Sequence, residues 1–79
     1  MPNPVRGSSA LRFSLPSASH VGLDVYDMAG RRVAVVATGA HAAGEHLARL
    51  DARDLAAGTY VVHLVAGAGS VTQTMTVVR

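Results

Sequence analysis

The stretch Leu55-Ala-Ala-Gly58-Thr-Tyr60, running into the mostly apolar segment 61–65 (Val-Val-His-Leu-Val), decides how this chain is read. A Leu-x-x-Gly-x-Tyr leading into a strand is how many Greek-key sandwiches turn a corner. The glycine takes a backbone conformation that a side chain hinders. The tyrosine buries its ring and bonds its hydroxyl to backbone a few residues upstream. A tyrosine that stacks on a sugar would instead sit on a flat exposed face beside other aromatics. Gly58 just before it, and Val62 and Leu64 on its own face after it, favour the buried corner.

Working outward from that corner, the chain reads as short strands punctuated by Gly, Pro, Ser and Asp. Leu11-Arg-Phe13-Ser-Leu15 alternates apolar and polar residues until Pro16 ends it, and Val21-Gly-Leu23-Asp-Val25 repeats the pattern. Asp27-Met-Ala-Gly30 is predicted to be a tight turn with Gly30 at positive φ, and Val33, Val35 and Ala37 continue on the return strand. Segment 38–44 is small and alanine-rich; glycines at both ends and its short length predict a loop rather than a helix. Residues 45–51 are predicted to form a strand with His46, Ala48 and Leu50 on one side, followed by a turn in which Asp51 or Asp54 bonds local backbone. Tyr60, Val62 and Leu64 face the core from the next strand. Ala66-Gly67-Ala68-Gly69 makes a hairpin turn. The final strand, 70–79, puts Val71, Met75 and Val77 on one face, with Gln73 between them. With a short initial strand at 4–6, the count is about seven strands. The expected class is all-β: an immunoglobulin-like antiparallel β-sandwich. No repeat of 20–50 residues is present, as a solenoid or propeller would require.

Seventy-nine residues make one domain, 1–79, near the small end of what folds unaided. There are no cysteines, so neither disulfides nor thiolate metal sites can help, and a hydrophobic fraction of 49% must supply the core. The formal net charge is +2 and every cation is an arginine; only Arg31 and Arg32 are adjacent, in the predicted turn. Nucleic-acid binding asks for a basic stripe with stacking aromatics, and scattered arginines balanced by five carboxylates read as a solvated surface instead. No apolar run approaches the roughly 20 residues of a spanning helix. Met1-Pro-Asn-Pro-Val-Arg lacks the apolar core of a signal peptide and reads as the start of a piece excised from a larger protein.

Candidates for chemistry are few. His20, His41, His46 and His63 could suggest a metal, but zinc needs ligands converging from rigid elements at about 2 Å. The predicted loop separates His41 from His46, and His63 should point away from the face of Tyr60, Val62 and Leu64. Ser8, Ser9, Ser17, Ser19 and Ser70 lie in turn-like or loop-like positions, with no Gly-x-Ser-x-Gly elbow. Asp24 and Asp27 belong to the outer face and end of one strand and Asp51 and Asp54 to a turn, an arrangement unlike paired carboxylates across a groove. Gly67-Ala-Gly69 is followed by no helix that could hold a phosphate. The expectation is a protein that is not an enzyme, with no catalytic residue, no cofactor and no metal.

The order Pro2-Asn3-Pro4, Leu11-Arg-Phe13-Ser-Leu15-Pro16, Val25-Tyr26-Asp27-Met-Ala-Gly30-Arg31-Arg32-Val33, Gly44-Glu-His46, Leu50-Asp51, Leu55-x-x-Gly58-Thr-Tyr60 and a last strand ending in Arg79 resembles the C-terminal sorting domains of the type IX secretion system. The resemblance covers residues 2–79. Its structural motif residues are Pro2, Asn3, Pro4, Gly30, Leu55, Gly58 and Tyr60. The chain departs from the common pattern at Leu50, where an aromatic is frequent, and in a last strand without the frequent lysines. A similar pattern occurs in the Ig-like domain of flagellar hook-capping proteins.

The resemblance implies a small Ig-like domain appended to a secreted protein and read by an outer-membrane secretion translocon. It further implies removal in many members by a sortase-like peptidase, with attachment of the cargo to the cell surface. Recognition is expected at the last strand, on Thr74, Met75, Thr76, Val77, Val78 and Arg79. That strand either stays paired, so that a folded surface is read, or peels away to add to a partner sheet. Exposed Val61, Val65 or Val78 could also support self-association, and oligomeric state is not legible. The rival reading is an Ig-like accessory module that binds glycan or packs on a catalytic neighbour.

Overall fold

The computed structural model describes residues 5–78, so Pro2, Asn3, Pro4 and Arg79 lie outside the described residues. Six strands follow in chain order: β1 (Ser8–Leu15), β2 (Ser19–Asp27), β3 (Arg32–His41), β4 (Gly44–Asp51), β5 (Gly58–Ala66) and β6 (Gly69–Val77). A single 3₁₀ turn, Ala52–Asp54, links β4 to β5. One sheet has the order β3-β2-β5-β6 and the other pairs β1 with β4, all antiparallel. The expected Ig-like sandwich is therefore present. Where a short first strand is expected at 4–6, the described residues of that segment show a parallel bridge from Val5 to Val77.

The two-residue alternation dictates the core. Leu11, Phe13 and Leu15 of β1 and Ala48 and Leu50 of β4 face Val21, Leu23 and Val25 of β2 and Tyr60 and Val62 of β5; all are buried. Met75 and Val77 extend this layer from β6, with Met75 completely enclosed. Intervening residues are exposed or half-buried, and no polar or charged residue among those described is buried.

The corner forms at residues 55–60. Gly58 has φ +154°, a conformation that L side chains rarely adopt. Tyr60 is 7% exposed and donates its hydroxyl to the Ala56 carbonyl at 2.6 Å. Leu55 is buried beside it, and Ala52 sits in the core beneath the 3₁₀ turn. Asp51 starts that turn by accepting the Arg53 amide at 3.0 Å while gripping the Arg53 guanidinium at 2.9 and 2.8 Å. The guanidinium first, and then the amide, hold the Asp51 carboxyl well below its ordinary 3.8, at about 2. At the β2–β3 hairpin, at the same end of the sheet, Asp27 accepts the Ala29 and Arg31 amides, and Gly30 takes φ +86° to admit Arg31. The Arg31 amide chiefly keeps the Asp27 carboxyl below its usual value.

One expectation needs correction on β3. The segment 38–44 is not a loop: Thr38, Gly39, Ala40 and His41 pair with Gly22, Val21, His20 and Ser19, leaving only Ala42 and Ala43 outside the strands. Ladder hydrogen bonds to β2 override a composition that by itself favours neither state. Val33, Val35 and Ala37 lie on the return strand as expected, though not on one face. The register shifts between Leu23 and Asp24 and between Val25 and Tyr26, so that Val36 and Val33 are extra residues opposite β2. The bulges turn Ala34, Val36 and Ala37 toward the core and leave Val35 56% exposed.

Tyr60→Phe should lower unfolding stability by roughly 1 kcal/mol, the net worth of one hydrogen bond, seen as a lower denaturant midpoint. Met75→Ala, which empties a fully enclosed site, should cost about 2–5 kcal/mol in the same titration. Because the Asp51 carboxyl is depressed in the folded state, its contribution is complete above pH 3.8 and is lost as pH falls toward about 2. The difference in melting temperature between the native chain and Asp51→Asn should therefore shrink through that window; a difference independent of pH would contradict the assignment.

Candidate interaction surface at the final strand

β6 is an edge strand held by different means along its length. Its inner flank pairs with β5 from Ala66↔Gly69 to Gly58↔Val77 without a register shift. Among the described residues its outer flank is held near the end: the Val5 amide donates to the Thr76 carbonyl at 2.8 Å, and the Val78 amide donates to the Val5 carbonyl at 3.0 Å. Val5 itself is fully buried. The final strand is thus clamped between β5 and Val5 just where its two core residues sit.

The positions expected to be recognised divide by side-chain direction. Met75 and Val77 are buried and hold the fold, Thr74 and Thr76 are exposed on the outer face, and Val78 is half-buried beyond the strand. Ser70 and Thr72 continue the outer line of hydroxyls toward the β5–β6 turn. The strand GSVTQTMTV has no charge, so this surface offers hydroxyl groups and backbone rather than an ion pair. Of the structural motif, Gly30, Leu55, Gly58 and Tyr60 sit at two separate turns, not around a common pocket.

The histidines group differently from expectation. His20 is exposed, and half-buried His63 lies with its ring 6.4 Å from that of Tyr26 on the outer face. His41 and His46, however, come together: with 38–41 in β3, only two alanines separate the strands, and the rings meet edge to face at 5.1 Å. Phe13 stacks on His46 at 5.3 Å and meets His41 at 5.8 Å. His46 Nε2 pairs with the Ala42 carbonyl at 2.7 Å and His41 Nδ1 with the Gly39 carbonyl at 3.0 Å. Each histidine thereby uses one ring nitrogen as an N–H donor to backbone, and the cluster packs over the crossover between sheets. A period-two reading of β3 through Gly39 would have found it. Among the described residues no three metal-ligating side chains converge. No helix among them is long and apolar enough to cross a membrane.

Beside β6 the sandwich is open. A cleft of about 200 Å³ runs between β1 and β6, lined by Leu11, Phe13, Leu23, Val62, Leu64 and Val71 among others. A second, of about 390 Å³, continues it past Leu15, Pro16 and Ala66. The sequence reading did not foresee this seam, because it depends on which strands end up as neighbours.

Comparison with known protein families matches residues 1–78 to the secretion system C-terminal sorting domain. No curated protein and no solved structure matches the chain. The match spans all but the last residue, and it agrees with the order of motifs and the all-β fold built above. The chain belongs to the family of type IX secretion system C-terminal sorting domains.

Proposed function

We propose that residues 1–79 are the last domain of a larger protein and direct that protein across the outer membrane for display on the cell surface. The domain acts as a label and performs no catalysis. Family membership supports a sorting signal for type IX secretion. The observation that carries the rest of the reading is the double clamp on β6. Met75 and Val77 are anchored inward while Thr74 and Thr76 stand outward, so the end of the chain can be read in the folded state.

The recognition surface in this reading comprises Thr74, Met75, Thr76, Val77, Val78 and Arg79, the threonines by contact and the buried pair by holding the strand in place. Its partner is the outer-membrane translocon. A sortase-like peptidase then cuts upstream of Val5, separating cargo from label without disturbing the clamp until export is complete, and the cargo is attached to the surface.

The test is a fusion of residues 2–79 to a reporter with an ordinary export signal, in a bacterium possessing the machinery. The reporter should reach the surface or the medium, and removal of residues 74–79 should abolish delivery. Because that deletion also removes core side chains, Thr74→Glu supplies the second arm: it should keep the native melting temperature and reduce delivery severalfold. Equal delivery of all forms, or of the reporter alone, would overturn the proposal.

A further inference from the structure

His41 and His46 form a cluster remote from the final strand, and no part of the sorting role draws on it. His41 closes β3, in the four-stranded sheet, and His46 lies near the start of β4, in the two-stranded sheet. Only Ala42 and Ala43 separate the two strands, and the imidazole rings meet at 5.1 Å. The contact therefore joins both layers of the sandwich at one point. Phe13, directly opposite His46 in the β1–β4 ladder, stacks on it at 5.3 Å and supports the pair from one side. Both histidines are half-buried, so solvent still reaches them. A metal is not expected where a loop lies between two ligands, but with 38–41 in β3 both rings stand on strands.

The backbone bonds decide which ring atoms are free. A carbonyl oxygen only accepts, so His41 Nδ1 and His46 Nε2 carry the protons that they give to Gly39 and Ala42. In the neutral rings the remaining nitrogens, His41 Nε2 and His46 Nδ1, hold lone pairs. Metal-bound histidines are prepared in this way. One ring N–H goes to a carbonyl or carboxylate, which fixes the tautomer and ring orientation and leaves the other nitrogen for the ion. Among the described residues, neither His20 nor His63 has a ring nitrogen bonded to backbone.

We propose that His41 Nε2 and His46 Nδ1 together hold one divalent first-row transition ion such as zinc, which staples β3 to β4. Imidazole nitrogen selects these ions over magnesium and calcium, which take oxygen. No third metal-ligating side chain joins the pair among the described residues, and Glu45 is exposed on the other face of β4. The protein thus fills two of the four positions of a tetrahedral ion, and water completes the set. An ion held by the folded arrangement stabilises it by mass action. In a chain with no cysteine, it does the work of a disulfide between the sheets.

The experiment titrates zinc chloride into the 79-residue chain freed of metal, with binding measured by calorimetry and the imidazole nitrogens followed by NMR. One ion should bind per chain. His41 Nε2 and His46 Nδ1 should shift, while the two backbone-bonded nitrogens keep their protons. The melting temperature should rise by about 5–10 °C at ten times the dissociation constant. His41→Ala and His46→Ala should each weaken binding at least about tenfold. His20→Ala and His63→Ala should leave it unchanged, and magnesium should not compete. If either of the first two variants loses its fold, the nitrogen shifts of the native chain decide. No saturable binding would overturn the proposal, as would equal affinity in all four variants or coordination through His41 Nδ1 and His46 Nε2.

Discussion

Val5 takes the last hydrogen bonds that the outer flank of the final strand offers and buries its own side chain completely in doing so. Two net hydrogen bonds at about 0.5–1.5 kcal/mol each and one enclosed valine at about 1.5–3 kcal/mol give the contact a worth of roughly 2.5–6 kcal/mol. A domain of this size has only about 4–12 kcal/mol of stability in total. One residue from the beginning of the chain therefore decides whether its end is fixed. With no cysteine and no group of three metal ligands among the described residues, the sandwich depends on such contacts to join first residues to last.

The constraint divides one strand between core and surface. A period of two separates the work: Met75 and Val77 belong to the core, and Thr74 and Thr76 belong to the surface. Clamping the inward residues orders the outward ones without any extra interaction. A sorting domain gains from a shape that is held within its own residues. Antiparallel pairing to β5 on one side and Val5 on the other supplies it from within the domain.

Much of this was legible because it is local. The Leu55, Gly58 and Tyr60 corner, the Asp27–Gly30 turn and the alternation of β1 and β4 each rest on residues within one turn or one strand, where side-chain chemistry acts directly. The strand status of 38–41 was not legible, since alanine and glycine carry no period and the β2 ladder alone decides it. The meeting of His41, His46 and Phe13 failed for the same reason, because a loop in place of β3 hides it. The clefts between β1 and β6 depend on strand order, which no local pattern encodes. The part played by Val5 was seen only as a short strand, not as the clamp on the chain's far end.

Amide hydrogen exchange in the isolated domain tests the clamp most directly. The account predicts that Val5, Val77 and Val78 exchange as slowly, within about tenfold, as core amides of β2 such as Val25, because all four open only with the whole sandwich. If Val77 and Val78 exchange at the rate of an unstructured peptide while Val25 stays protected, the end of the chain is free in the folded protein, and a label made of its shape does not exist.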